Sequence, residues 1–493
     1  MIQKPTLTFW QIINMNVGFF GIQYSFGLQQ SAVNPIYDFL GASPDEIPLL
    51  NLAGPVTGLI IQPIIGALSD KTWSPRFGRR KPYFFIGAMI CSICLFFYPF
   101  SSALWMAAGL LWILDVGNNT AMEPYRAFIA DKLNDDQRPT GFQTQSFFTG
   151  LGQTLANVSL FVFPLLIIGK TGAIPNWVFA SFFLGSVCSI GTIWWSMRTT
   201  PEIAPTEDEI KAIEKSNEGQ PHLALQFFIS ILTSVVAYLL LILLVVPSIF
   251  YRSLIHRLLE AAKSHHFIRL LFAQNIEIIE AILEMPKVMW QLALVYLFQW
   301  YALFCYWQNS SKSIALSVWK TTPAENQSFY EQAVSWAGLV NGWYNIVTFI
   351  SAFALVWFVK KSSPKLVHFT CLVLAGVGFM VFPMIGNKYL LFPAITGFGI
   401  GWASMMGIPY LLVVGNIPKE RYGVYMGIIN MMIVVPMILQ SLSFGFVMKN
   451  FLGNNSGNAV LFAGVLLLMA ALATLLIKSE KTTVQPGRHV NSH

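Results

Sequence analysis

Long apolar runs recur along nearly the whole chain, separated by short stretches that contain Pro, Gly, Lys or Asp. A helix needs about 20 apolar residues to cross the hydrocarbon core of a bilayer, which is about 30 Å thick. We predict twelve spans of this kind, at residues 9–39, 48–69, 83–100, 103–131, 140–168, 176–197, 288–311, 331–359, 366–386, 389–416, 422–448 and 457–477. The pattern therefore predicts an all-α integral membrane protein.

Composition agrees with this class. Of the 493 residues, 55% are hydrophobic and 11% are charged, whereas a soluble chain carries about 25% charged residues. All five cysteines fall inside predicted spans, where packing explains them without a disulfide or a metal site. We expect no metal and no nucleic-acid partner, because the net charge of +7 comes from loops that set the orientation in the bilayer.

Lys and Arg are concentrated in the loops after spans 2, 4, 8 and 10, and short basic loops stay on the cytoplasmic side. The loop after span 2 alone holds Lys71, Arg76, Arg79, Arg80 and Lys81. The loops on the opposite side hold few basic residues, and Lys312, just after span 7, is one of them. Both termini are therefore predicted to be cytoplasmic, in a multi-pass protein of the inner cell membrane.

The spans divide the chain into a six-helix half at residues 1–197, a central linker at 198–287, a second half at 288–478 and a flexible tail at 479–493. Residues 223–250 are apolar enough to span, but one added crossing would invert the second half. Either this segment lies on or re-enters the membrane, or part of 267–285 returns the chain. We predict a non-crossing or peripheral membrane element.

Two short motifs are repeated in the second half. Pro124-Tyr125 is echoed by Pro409-Tyr410, and Ser74-Pro75-Arg76 by Ser363-Pro364-Lys365, at a nearly constant offset. Two pseudo-symmetric halves, with a substrate site between them near mid-membrane, are typical of transporters with such repeats.

Only two acidic residues, Asp115 and Glu123, lie deep inside predicted spans, and both share span 4 with Arg126. A charge at this depth costs about 2.5–3.5 kcal/mol and usually marks an ion path or a pair. Glu123 and Arg126 are three residues apart and can pair, either as a structural ion pair or as part of transport. Asp115 has no local cation, so we expect desolvation to favour its protonated form and let it carry a proton.

The loop from Gly66 to Pro82 resembles the signature loop between helices 2 and 3 of the major facilitator superfamily. Its lengthened form is similar to that of the sucrose transporter group of the glycoside-pentoside-hexuronide:cation symporters. We expect Gly66 to allow close helix approach and the arginines to pair with acids at the helix ends. The predicted cytoplasmic gate comprises Gly66, Asp70, Arg76, Gly78, Arg79, Arg80 and Asp131.

The run Trp112-Ile-Leu-Asp115, with Arg126 eleven residues further, resembles the helix 4 signature of sucrose/proton symporters. The resemblance implies a major facilitator fold, with Asp115 as the proton-binding carboxylate and Arg126 as a required partner. Plant members have a histidine where Pro44 falls and acids in helix 7, where this chain has Trp307-Gln308-Asn309. Proton coupling is therefore expected to rest on the first half.

Sugar recognition uses amide groups that bridge hydroxyls and aromatic faces that pack on the ring. Such residues in helices also serve as interhelical packing contacts. The candidates for substrate binding are Gln23, Gln29, Asn118, Asn119, Gln145, Gln299, Trp300, Trp307, Asn341, Asn345, Trp402 and Asn430.

The sequence thus predicts a monomeric proton-coupled symporter for a glycoside such as sucrose or maltose, which works by alternating access in the lipid bilayer. It needs no cofactor besides the coupling proton, and no enzyme motif is present. The alternatives are an uncoupled or sodium-coupled transporter of another small solute, and a membrane sugar sensor that does not transport.

Overall fold

The fold is a bundle of long helices. A computed structural model describes residues 4–134, 136–217, 225–236, 257, 260–261, 264, 280–413 and 422–477. The first half contains α1 (Phe9–Phe39), α2 (Ile47–Leu50), α3 (Ala53–Asp70), α4 (Lys81–Phe97), α5 (Leu104–Lys132), α6 (Arg138–Leu166) and α7 (Asn176–Thr199). A small antiparallel hairpin, β1 (Lys170–Thr171) and β2 (Ile174–Pro175), connects α6 to α7.

The described residues of the second half form six long helices. After α8 (Glu207–Asn217) and the apolar helix α9 (Leu225–Val236) come α10 (Lys287–Ile314), α11 (Gln327–Lys361), α12 (Pro364–Val381), α13 (Leu391–Val413), α14 (Tyr422–Asn450) and α15 (Ser456–Leu475). The rest of the predicted element at 223–250, most of 267–285 and the tail at 479–493 lie outside the described residues. The division of the chain into halves, linker and tail stays a prediction.

Several helix starts follow from side chains that cap the first free N–H groups. Thr8 accepts from the backbone N–H of Gln11 at 3.3 Å, and the Gln11 side chain accepts from Thr8 N–H at 2.8 Å, which forms a capping box for α1. Ser363 caps α12 by accepting from Leu366 N–H at 3.1 Å.

Ten stretches of described residues are long and apolar enough to cross a membrane. The prediction of an all-α, multi-pass membrane protein is confirmed. The helices α1, with 31 residues, and α5, with 29, are as long as the others but lie outside this set. Both helices carry buried amides and acids, which lower their hydropathy. The count of twelve spans therefore stays a prediction.

One predicted boundary is wrong. Span 7 was expected to end at 311, which places Lys312 in a loop, but α10 continues to Ile314 and passes into a π-helical turn at Ala315–Trp319. Lys312 therefore lies inside the bundle, with 6% of its surface exposed. Its burial depends on a partner in the other half, which the local sequence does not show.

Helices α4 and α5 cross in backbone contact at glycines. A Cβ atom on Gly87 would lie 2.6 Å from both Ala121 N and Gly117 O. Small residues at such crossings let membrane helices pack closely. Gly66 in α3 was expected to serve the same purpose, but a Cβ there would meet no atom within 4 Å among the described residues. The prediction of a close approach at Gly66 is wrong, because α3 presents this position to open space.

The Gly87→Val protein is expected to lose stability, because the added methyl groups must push α4 and α5 apart. Overpacking of this kind costs about 1–3 kcal/mol. The thermal unfolding midpoint in detergent should fall clearly below that of the wild type. Gly66→Val is the matched control, since it makes the same change on a helix with open space. An equal fall in both variants would contradict the contact as the cause.

Candidate functional site

A cavity of about 240 Å³ lies between the two halves. The residues that line it come from α1, the α2–α3 region and α5 in the first half, and from α10 and α14 in the second half. They include eight amide side chains, two tryptophans and one carboxylate, that of Asp115. Small-molecule sites of about 300–1,000 Å³ typically combine apolar walls with a few placed polar groups, and this cavity is slightly smaller than that range.

Asp115 is 1% exposed, on the face of α5 that borders the cavity. Its Oδ1 accepts a hydrogen bond from Gln29 Nε2 of α1 at 2.6 Å. Its Oδ2 has no hydrogen-bond partner in the described part of the chain. This oxygen faces Gly54 of α3, where a Cβ would lie 3.7 Å away. A buried carboxylate with one unpaired oxygen beside a cavity is able to bind a proton or a solute hydroxyl.

Asn119, one turn after Asp115, connects α5 to α3. Its Nδ2 donates to the backbone O of Asp115 at 2.9 Å and to Thr57 Oγ1 at 3.1 Å. Its Oδ1 accepts from Gln62 Nε2 at 2.7 Å. On the first-half wall of the cavity, Gln29 therefore holds the carboxylate of Asp115, while Asn119 and Gln62 hold each other beside it.

Aromatic rings form the opposite wall. Trp300 and Trp307, both on α10, line the cavity. Each packs edge-on against Trp402 of α13, with ring centroids 5.6 Å and 5.5 Å apart. Trp402 itself supports the other two rings from behind. The polar wall from the first half thus faces an aromatic wall from the second.

Five of the predicted substrate-binding residues line the cavity, namely Gln29, Asn119, Trp300, Trp307 and Asn430. Five further amides also line the cavity, and none of them was predicted from the sequence to bind substrate: Gln30, Asn34, Asn51, Gln62 and Gln308. The i, i+4 spacing of Gln30 and Asn34 along α1, on the face that also holds Gln23, was a signal that pointed to them.

The other predicted binding residues lie away from this cavity. Gln23 accepts from Gln153 Nε2 at 2.9 Å. Asn118 faces α4, where Cys91 Sγ donates to it at 3.2 Å. Asn341 accepts from Tyr306 Oη at 2.9 Å, and Asn345 donates to the Asn341 backbone O at 3.0 Å. Gln145 and Gln299 are also buried but do not border the cavity.

Glu123 and Arg126 form the predicted pair, with Glu123 Oε1 and Arg126 Nη1 2.9 Å apart. The side chains are 29% and 47% exposed, so this pair is not a buried one. No ion pair to Asp115 is present among the described residues. Glu123 and Asp115 of α5 therefore differ: Glu123 has a cation, and Asp115 has an amide.

Comparison with known proteins shows the family to which the chain belongs. A family model described as the Major Facilitator Superfamily matches residues 15–441. The chain belongs to the Major Facilitator Superfamily.

Sucrose transport proteins are among the matching relatives. The chain is 31% identical over 157 residues to sucrose transport protein SUC3 of Arabidopsis thaliana, a match that covers 27% of this chain and 26% of that protein. It is 34% identical over 158 residues to sucrose transport protein SUT2 of Oryza sativa subsp. indica, covering 27% of this chain and 31% of that protein. The matches thus span less than a third of these relatives. Within the superfamily, the chain is similar to the sucrose transporter group, as the sequence motifs indicated.

Solved structures show the same fold at low identity. A crystal structure of a mutant of the nucleoside transporter NupG has a TM-score of 0.66 at 13% identity, covering 95% of this chain and 99% of that one. The xylose transporter XylE from E. coli has a TM-score of 0.56 at 14% identity, covering 96% and 99%. These likenesses confirm the predicted major facilitator fold.

The major facilitator signature loop forms a network of charges around Arg80. The Arg80 side chain is 6% exposed; its Nη2 lies 2.5 Å from Asp70 Oδ1, its Nε 3.0 Å from Asp131 Oδ2 and its Nη1 2.6 Å from Ser69 Oγ. Arg79 adds a bond to the Asp70 backbone O at 2.8 Å. The expected pairing with Asp131 is therefore present. These contacts connect α3, α4 and α5 of the first half, and their predicted role as a cytoplasmic gate stays a prediction.

The remaining residues of this loop fix its shape. Gly78 has a φ of +84°, a left-handed conformation that favours glycine. The Glu202 carboxylate accepts from the backbone N–H groups of Arg79 and Lys81 at 2.7 and 2.8 Å, where a Cβ on Gly78 would clash with it. Arg76 lies over the Phe77 ring, 5.2 Å from its centroid, and its predicted gate role is likewise untested.

A third deep carboxylate was missed. Asp38, on α1, is 7% exposed, and its Oδ1 lies 2.5 Å from Lys312 Nζ of α10. From the sequence, only Asp115 and Glu123 were placed deep inside predicted spans; Asp38 was not identified, and it is buried although it lies near the end of its span. Asp38 is at the end of an apolar run, where sequence alone places it at the membrane surface, and its burial comes from the second half of this major facilitator.

Proposed function

We propose that this chain is a proton-coupled symporter for a neutral glycoside of the mono- to disaccharide class, such as sucrose or maltose. The observation that supports it best is the cavity between the halves, whose amides face two tryptophans around a single carboxylate without an ion-pair partner. Amides satisfy both donors and acceptors of hydroxyl groups, and aromatic faces pack on the apolar face of a sugar ring. The sequence likeness to sucrose transport proteins supports the same substrate class.

The charge of the cavity supports a neutral solute. Asp115 is the only ionisable side chain among the described residues that line it. An anionic solute would have no cation to pair with there, and would be repelled by the carboxylate when it is ionised. A neutral solute with many hydroxyls meets no such cost.

Alternating access gives Asp115 its role in this proposal. In one orientation its free Oδ2 takes a proton, which removes a buried charge from the cavity wall. Sugar then binds between the amides and the tryptophans, and the halves rock around the filled site. On the other side the carboxylate loses its proton and the sugar leaves. By the distribution of basic residues, the end with Arg80 faces the cytoplasm.

Sugar transport is tested with the purified protein in liposomes. Counterflow with a panel of mono- and disaccharides identifies the substrate without any driving force. Uptake driven by an imposed pH gradient then tests proton coupling, with a sodium gradient as the parallel arm. Accumulation with the pH gradient supports the proposal. Accumulation with sodium alone, or binding of sugar without flux, would contradict it and favour the sodium-coupled or the sensor alternative.

A further inference from the structure

We propose that Asp38 and Lys312 form a charged gate that holds the two halves together at one end of the cavity. Asp38 belongs to α1 of the first half and Lys312 to α10 of the second. Their side chains are only 2% and 8% exposed, with Asp38 Oδ1 and Lys312 Nζ 2.5 Å apart. This pair therefore joins the halves, unlike the Arg80 network, which joins helices of the first half.

The pair lies next to the cavity along both helices. Asn34 lines the cavity and lies four residues before Asp38 on α1. Gln308 lines it too and lies four residues before Lys312 on α10. Four residues advance a helix by about 6 Å and return to the same face. The ion pair thus lies about one helical turn beyond the cavity on both helices, where it closes the cavity at this end, called here the Asp38 end.

Further polar contacts join the halves, and one of them involves Asp38. The Tyr330 hydroxyl of α11 donates to Asp38 Oδ2, so the charged and titratable groups that face Asp38 come from α10 and α11. Two other hydrogen bonds also join the halves: Asn341 Nδ2 donates to Ser31 Oγ at 3.2 Å, and Lys170 Nζ donates to Gln327 Oε1 at 3.1 Å. The Asp38 end is thus closed by polar groups, which water can solvate when the halves separate.

The chemistry of a buried ion pair suits a gate. In the closed state each charge has left water and depends on the other, so the loss of one partner leaves an uncompensated buried charge. In the open state both charges regain water and neither needs its partner. Removing one charge should therefore favour the open state, and removing both should cancel much of that effect. The strength of the pair then sets how often the Asp38 end opens.

The gate is tested by measuring the separation of the halves directly. Spin labels are attached to cysteines at Ala173, in the hairpin between α6 and α7, and at Ser328, on α11, in a background without the five native cysteines. Both side chains are exposed, and one lies in each half. Pulsed electron paramagnetic resonance then gives the distribution of distances between the two labels, in detergent and in lipid, with no sugar and no ion gradient.

We expect the short distance to dominate in the parent protein. In Asp38→Asn and in Lys312→Met, the ratio of long to short distances should rise at least about tenfold, because each leaves one buried charge without a partner. The double variant should return towards the parent ratio. Tyr330→Phe, which removes only the donated hydrogen bond, should cause a smaller shift in the same direction.

The matched control is the exposed pair within α5. The variant Glu123→Gln/Arg126→Gln removes an ion pair that does not join the halves and should leave the distances unchanged. Only variants that elute as a single folded species are compared. Parent-like distances in both single variants, or single effects that merely add in the double variant, would overturn the gate.

This test is independent of the proposed function. If no sugar is transported but the single variants open, the gate stands and the sugar proposal fails. If sugar is transported and the distances do not respond, the sugar proposal stands and the gate fails.

Discussion

Replacing Asp115 by Asn is expected to abolish proton-driven accumulation of sugar while leaving sugar exchange intact. Asn has the shape of the protonated acid and cannot release a proton. Its amide oxygen can still accept from Gln29 Nε2, the bond that fixes the carboxylate in the structure. The variant should therefore resemble a carrier that is always loaded with its proton. In liposomes with a pH gradient, the sugar concentrations inside and outside should become equal, whereas counterflow should persist.

The control for this prediction lies on the same helix. Glu123 is eight residues further along α5, is paired with Arg126 and is partly exposed. Glu123→Gln should retain accumulation, because its charge already has a partner and lies outside the cavity lining. An Asp115→Asn protein that still concentrates sugar under a pH gradient would contradict the proposed role. Loss of counterflow as well would indicate that Asp115 binds sugar rather than couples protons.

The helices were predictable because their signal is local. An apolar run long enough to span a bilayer is visible in one stretch of sequence, and the first predicted span has the same bounds as α1. The importance of Asp115 was predictable for the same reason, since no cation lies within a helical turn of it. Both features are visible in the sequence, without knowing which helices are neighbours in the fold.

The lining of the cavity was harder to predict, because it depends on how each helix is rotated in the bundle. Asn118 and Asn119 are adjacent and were equally good candidates. Successive residues point about 100° apart on a helix, so Asn118 meets Cys91 of α4 while Asn119 borders the cavity. No property of span 4 alone distinguishes them. The packing of α5 against α3 and α4 determines which of the two borders the cavity.

The pair of Asp38 and Lys312 was missed because it exists only when the halves meet. Each residue is near the end of an apolar run, where a charge normally contacts water or headgroups. Their separation in the sequence also gives no local pattern of opposite charges. The same reasoning explains why the gate is of interest: residues whose burial depends on the contact between halves respond when that contact breaks.

Trp307→Ala is expected to weaken sugar binding without removing proton coupling. The Trp307 ring borders the cavity opposite the amides and is supported by Trp402, with ring centroids 5.5 Å apart. Loss of a ring that packs on the solute should cost about 1.5 kcal/mol or more. This corresponds to a rise of about tenfold in the sugar concentration that gives half-maximal counterflow. The accumulation ratio under a pH gradient at saturating sugar should stay close to that of the wild type.

Two further variants separate binding from packing. Trp307→Phe keeps an aromatic face and should recover much of the affinity, whereas Trp290→Ala removes a tryptophan from the same helix that is 44% exposed and outside the cavity lining. If Trp307 serves only to pack against Trp402, Trp307→Ala should lower the unfolding temperature and leave the half-maximal sugar concentration unchanged. That outcome would remove Trp307 from the sugar site. The amides that line the cavity would then have to bind the solute, because they match its hydroxyls.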